Sequence, residues 1–558
     1  MAIAAGSSNL FFNRDTKVFL SQTNGRPISI GSTAAASNAV TSATAHGLAT
    51  GDRIMLTAGT GTLSGITAGT VYYAINTGST TFQFASSITL AIAGTPLTVT
   101  GTPSSGYVAA LDGFSVPTAV VTNGTTAVLS ISNHNFQAND VITLTGVSAS
   151  GDAGNLDLNG VYLIQSVVAA TSITVNTASA ATTLTTPSTI KVFKSNIWEI
   201  PVLAGYSASQ KTTTSEITLN EMTNAAGTSR RGRQMFNNAI APTDWSFDTY
   251  IRPFKSTNQY CVEEPLWANL VAKNYALNSG SAGTQTSVWG AGGVTRGTTD
   301  LVFDFSKANT VTLGTFDLYF VLGGNKTSTR NYANDTDAGS HTIYKVADSV
   351  INECSMNFAI DGIATISWTG MGSAMTECGS FYGTTAGNNG TTATNNFIRN
   401  RLTSLTLVGT TPAITASVTL TGGTVSIANN ISFLTPEILG VVNKPLAHIT
   451  GTRTIKGTFT AYLDEVTSGT IDLFQALAEK ANTVVTNVFA LSFYVGGQAA
   501  TDLPNGPGIQ VKVPTAHLEI PTINFDDVVA TEITWHALPS TISAADEISA
   551  VRYVGINP

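Results

Sequence analysis

The feature that most constrains this chain is a long internal repeat. Residues 345–373 (KVADSVINECSMNFAIDGIATISWTGMGS) overlay 512–540 (KVPTAHLEIPTINFDDVVATEITWHALPS) without a gap. Asn357 falls on Asn524, Phe358 on Phe525, Ile366 on Ile533 and Trp368 on Trp535. A strand-patterned repeat at this separation means two copies of one domain, and fused copies suit a symmetric assembly.

The match continues upstream. The stretch from Trp245 to Ile251 (WSFDTYI) answers Gly457 to Leu463 (GTFTAYL), residues 318–324 answer 491–497, and 197–203 lie over 414–420. Each copy also carries one helical pattern. Residues 472–481 place Leu473, Phe474 and Leu477 on one face, with Thr470 or Asp472 as N-cap; residues 262–274 place Leu266, Trp267 and Leu270 likewise. The remaining segments alternate apolar residues with Ser and Thr, the signature of half-buried strands. The predicted fold is therefore all-β, each copy packing one helix against an antiparallel sheet or sandwich.

One feature breaks the parallel. The second copy joins its first two strands through the turn GTTP, whereas the first copy separates residues 17–20 from 197–203 by a long insertion. That insertion is itself duplicated. His46 to Thr57 (HGLATGDRIMLT) lies over His134 to Thr145 (HNFQANDVITLT), Val71-Tyr72 over Val161-Tyr162, and Thr81-Phe82 over Ser172-Ile173. These read as two small Ig-like β-modules grafted onto a hairpin tip, where the host core is untouched. The division is 1–30 with 190–380 for the first copy, 31–110 and 111–189 for the modules, and 397–558 for the second copy.

Chemistry is sparse. Charged residues make up 11% of the chain, hydrophobic ones 42%, and the formal net charge is -8. That balance suits a rigid β-protein whose surface becomes interface, and it argues against tight phosphate binding. Three scattered cysteines form no disulfide framework or metal motif. With no signal peptide or membrane-spanning run, the expectation is a soluble protein made in a cytosol. No metal, cofactor or catalytic motif is found, so no enzyme is expected. The matched His46 and His134 read as loop-bracing side chains. Glu263-Glu264 reads as a helix start favoured by the dipole. Arg230, Arg231 and Arg233 suggest salt bridges between subunits. Phe247, Tyr250, Trp368 and Phe358, with Phe459, Tyr462, Phe525 and Trp535, read as duplicated core or interface aromatics.

The stretches SNLFFNRDTKVFL, IWEIPVLAGYS, RRGRQMFNNAIAPTDWSFDTYIRP and IPTINFDDVVATEITWHALPS resemble tail tube proteins of tailed bacteriophages. The resemblance covers both copies but not the inserted modules, which are similar to small β-modules of other phage tail proteins. It implies a structural virion protein, assembled in the host cytoplasm, whose tube domains are β-sandwiches that pair sheets with their neighbours into an inner β-barrel and so a hollow ring. Two tube domains per chain imply homotrimeric rings with pseudo-sixfold symmetry, stacked into a tube that phage DNA traverses without tight binding. It also implies tail partners: a terminator, a baseplate or tip, and a tape measure. The modules would face outward and could touch the host surface. The alternative is a virion decoration or adhesion protein that binds host glycans through those modules.

Overall fold

The computed structural model describes residues 16–554 apart from interior stretches, the longest being 57–62, 102–106, 148–158, 177–189, 218–233, 253–260, 279–286, 306–312, 332–339, 382–397 and 482–486. The Arg230–Arg233 cluster, the Asp526-Asp527 pair and the Gly/Asn-rich linker within 383–396 lie outside the described residues.

The first copy contains β1 (Thr16–Thr23), β2 (Lys191–Ile200), β3 (Ser207–Ile217), β4 (Gln234–Tyr250), α1 (Glu264–Val271), β5 (Asp300–Asp304), β6 (Phe316–Asn331), β7 (Ser340–Ala359) and β8 (Thr365–Gly372). The second contains β9 (Ser404–Thr411), β10 (Ala413–Val418), β11 (Leu420–Ala428), β12 (Thr454–Tyr462), α2 (Thr470–Lys480), β13 (Val488–Val495), β14 (Gly508–Leu518), β15 (Thr522–Asn524), β16 (Ala530–Ala537) and β17 (Ala550–Val554).

The duplication is visible in the pairing map. In the first copy β1 pairs with β2 and β6, β6 with β7, β7 with β8, β8 with β4, and β4 with β3. In the second, β9 pairs with β10 and β13, β13 with β14, β14 and β15 with β16, β16 with β12, and β12 with β11. Even the irregularities recur. The register shift between Phe316 and Leu318 recurs between Phe489 and Leu491, and the one after Ile351 recurs after Leu518. Bulges re-aim strands, so their repetition marks inherited geometry.

These registers correct two sequence overlays. Val18 pairs with Ile200 and Leu405 with Val418, which makes Val418 the counterpart of Ile200 and moves the 197–203 overlay by one residue. A one-residue slip would turn every side chain to the wrong face; Trp198, Ile200, Ala416 and Val418 all face the core in the observed register. In the last strand, Phe247 pairs with Trp368 but Phe459 pairs with Ile533. Trp368 therefore corresponds to Ile533, and Trp535 to Gly370. That two-residue slip preserves the face, which is why the sequence pattern concealed it.

The slip has a packing cause. Trp245 on β4 stands opposite Gly370 on β8, whereas Gly457 on β12 stands opposite Trp535 on β16. A Cβ on Gly370 would lie 2.2 Å from the Trp245 ring, and one on Gly457 would lie 2.8 Å from the Trp535 ring. Each copy thus lays one indole over one glycine at the same cross-strand position, supplied from opposite strands.

Each copy is a sandwich because its long strands turn a corner between two sheets. Residues 342–346 of β7 pair with β6, and residues 350–357 pair with β8. Asp348, between them, adopts φ +48. One continuous core joins both copies and includes Leu266, Trp267 and Leu270 of α1 and Leu473 and Leu477 of α2. The α2 N-cap is Gly469, not Thr470 or Asp472, and Asp464 Oδ1 accepts from the Thr470 amide at 3.0 Å. All of α1 is buried, and so is Glu263 just before it. Burial pushes the Glu263 carboxyl up to about 8, so the dipole account of that pair gives way to desolvation.

The insertion leaves the tip of the β1–β2 hairpin, beyond the Thr23–Ser195 pair. The first module closes into a six-stranded barrel within residues 26–110. The second does not stop at residue 189. Residues 191–194 of β2 pair with strand Val141–Thr145 of the module, and β2 then continues into the sandwich. Lys194 and Asp140 form an ion pair of 2.9 Å at this junction.

Candidate functional site

Four strands of each copy join into one run. The order is β3-β4-β8-β7-β11-β12-β16-β15, antiparallel throughout, and the copies meet where β7 pairs with β11 from Glu353–Ala428 to Ala359–Gly422. A second seam reinforces that meeting. Strand β17 pairs with both β14 and β5, with Arg552 held to Asp300 at 2.6 Å. Tyr553 on β17 accepts from Trp267 Nε1 at 2.9 Å and donates to Glu263 Oε2 at 3.3 Å, inside the first copy.

Alternation gives this run two unlike faces. One carries core residues: Trp245, Phe247, Trp368, Met356, Val425, Phe459 and Trp535. The other is a carpet of hydroxyls. Ser207 meets Ser246 at 2.9 Å, Thr424 meets Thr458 at 3.2 Å, and Thr421 donates to Thr460 at 3.0 Å. Its charges are mostly negative. Asp244, Asp248, Glu353 and Glu532 share this face with Lys211 and Lys456, while His536 is held by Glu519 at 2.9 Å.

The duplicated aromatics divide between the two faces. Phe247, Phe358, Trp368, Phe459 and Trp535 are buried in the core. Tyr250 is half-buried, Tyr462 is 41% exposed on the hydroxyl face, and Phe525 is 83% exposed just beyond β15. Of the core and interface roles expected for these aromatics, Tyr462 and Phe525 do not take the core one within the chain, because the strand period turns Tyr462 away from Phe459 and the end of β15 carries Phe525 past the sheet. The sequence match between Phe358 and Phe525 pairs a buried ring with an exposed one. What it could not reveal is that, among the described residues, no strand pairs with the second copy at that edge.

The matched histidines brace their modules through the same ring nitrogen. Nε2 of His46 meets the Thr81 carbonyl at 3.1 Å, and that of His134 meets the Ser172 carbonyl at 3.2 Å. The following turns are tied by Asp52 to the Ala49 amide and by Asp140 to the Gln137 amide. Among the described residues no group of three or more His, Cys, Asp or Glu could hold a metal, and none of the three cysteines forms a disulfide. A cleft of about 230 Å³ lies between the second module and the sandwich, lined by Thr143, Asn159, Tyr319, Lys345, Glu377 and Cys378. Lys345 there pairs with Asp317 at 2.6 Å; burial alone would lower its ammonium, but Asp317 raises it on balance.

Among the described residues, the hydroxyl-lined sheet ends on two strands, β3 and β15, that each pair on one side only. In comparison with curated proteins, the chain is 28% identical over 362 residues to "Tail tube protein pb6" of Escherichia phage T5, spanning 63% of this chain and 70% of that protein. The chain is similar to a phage tail tube protein. No family model matches it. The kinship supports a structural tail tube role within the virion, on an all-β fold, and points away from an enzyme. No described helix is long and apolar enough to cross a membrane.

Proposed function

We propose that three copies of this chain close into a ring of six sandwiches, that rings stack into a tube, and that phage DNA passes along the bore. The observation that carries this reading is the eight-stranded run. Two sandwiches are already joined edge to edge inside one chain by β7 and β11, and the run ends on strands β3 and β15. Unpaired strand edges invite association, and closure removes them. Porin barrels of about 16–18 strands already enclose an aqueous channel, and three such runs exceed that number.

The hydroxyl face would line the bore. Double-stranded DNA carries one negative charge per about 1.7 Å of axis, so a surface with more carboxylates than lysines offers few cations to hold it. The modules would lie outside. The cluster of Phe19, Val141, Val161, Ile197, Tyr319, Val321 and Ile343 seats the second module on the β1-β2-β6 sheet, the layer away from the hydroxyl face. Stacking would use the hairpin Ser432–Leu434/Ala447–Ile449 and its tip, which exposes Leu434, Ile438, Leu439, Val442 and Leu446. Exposed apolar clusters of this kind mark interaction surfaces. The terminator, tip and tape-measure proteins of a tail would be its further partners.

Negative-stain microscopy of the purified protein tests the reading. Hollow rings or stacked tubes with six lobes are expected. Discrete particles that bind host glycans and never close into rings would replace it with a decoration role.

A further inference from the structure

We infer that the junction between chains repeats the junction inside the chain, with β15 of one copy pairing antiparallel with β3 of the next, Thr522 opposite Ser209. This rests on the ring reading above and specifies its contact.

The register follows from the internal repeat. Ser355 pairs with Ser426 where the two sandwiches of one chain meet. Thr522 is the counterpart of Ser355, since each occupies the same rung below the shared bulge: Ser355 opposite Ser367, Thr522 opposite Glu532. Ser209 is the counterpart of Ser426, since Ser209 stands opposite Asp244 and Ser426 opposite Lys456, equivalent places on β4 and β12. Among the described residues β3 pairs only with β4, and β15 only with β16, so both outer edges are open to a partner. Strand β3 is 11 residues long, and an open edge of that length is a ready template for another strand.

The side chains at the rim fit an occluded partner. Ile520, Phe525 and Val528 stand exposed around β15, at the place where the first copy is covered by β11. The two junctions differ in one lock. Inside the chain, Phe358 lies over Gly423, whose Cβ would fall 2.8 Å from that ring, and packs on Phe493 at 5.8 Å. In the counterpart site the glycine is replaced by Tyr206, which already stacks on Phe320 at 5.9 Å. Phe525, the counterpart of Phe358, therefore closes against the outer face of Tyr206 of the next chain instead of entering its core. The two junctions share a backbone register, and the one between chains stays separable because its aromatic knob is not interleaved.

Paired cysteines test the register on the full chain. Ser209→Cys with Thr522→Cys places thiols on directly opposite, exposed positions, within disulfide reach in an antiparallel pair. Mild oxidation should give covalent two- and three-chain products on a non-reducing gel. Ser355→Cys with Ser426→Cys, the internal counterpart, should give a disulfide with no change in chain number. Ser207→Cys with Thr522→Cys is slipped by two residues and should stay mostly uncoupled. Rings in the microscope that couple through the slipped pair, or through neither pair, would overturn this junction while leaving the ring intact. Particles that never form rings would remove the ring reading and this junction with it.

Discussion

Phe459 and Tyr462 lie three residues apart on β12, and the corresponding Phe247 and Tyr250 lie likewise on β4. A period of two puts members of each pair on opposite faces. Phe459 is fully buried, opposite Ile533 and Gly423, while Tyr462 is 41% exposed on the hydroxyl face. An aromatic side chain buries about 150–250 Å², which at about 25 cal/mol/Å² is worth roughly 4–6 kcal/mol as an upper estimate. Phe459→Ala should therefore cost about 3–5 kcal/mol, since the sandwich cannot collapse onto the vacated space. Tyr462→Ala should stay within about 0.5 kcal/mol of the parent chain. Guanidinium unfolding followed by far-UV circular dichroism reads both, with midpoints compared step by step because a multi-domain chain unfolds in stages. Equal losses from the two substitutions would show that the core face and the hydroxyl face have been assigned wrongly.

Gly370→Ala forces a Cβ to within 2.3 Å of the Val350 carbonyl and 2.2 Å of the Trp245 ring, so it should destabilise the first copy by about 1–3 kcal/mol or more in a thermal melt. Glu263 is protonated in the folded chain up to about pH 8 but ionises near 4.5 when unfolded. Its contribution is thus complete below pH 4.5 and is lost as pH rises to about 8; Glu263→Gln should flatten the fall in melting temperature between pH 5 and 8, and an unchanged slope would disprove the assignment. His46→Ala removes bonds to the Thr81 carbonyl and the Leu48 amide and should lower the first module's stability by about 1–3 kcal/mol, measured by hydrogen exchange, with the sandwiches unaffected.

The sequence by itself determined the things that local pattern encodes. Alternation of apolar residues with Ser and Thr specified strands, the 266–270 and 473–477 clusters specified one helix per copy, and repetition specified two sandwiches and two modules. The equivalence of His46 and His134 was legible because each sits at the same offset from its Asp turn. Tertiary structure alone decided the register. Counting identities aligned Trp368 with Trp535, yet the ladder aligns Trp368 with Ile533, because one indole can be supplied from either strand of a pair and a slip of two leaves every face unchanged. Tertiary structure also decided which edges remain open. Phe358 and Phe525 occupy equivalent places in the repeat, but only the first has a second sandwich beside it. Burial depends on what the rest of the chain, and then the next chain, brings alongside, and no local pattern carries that information.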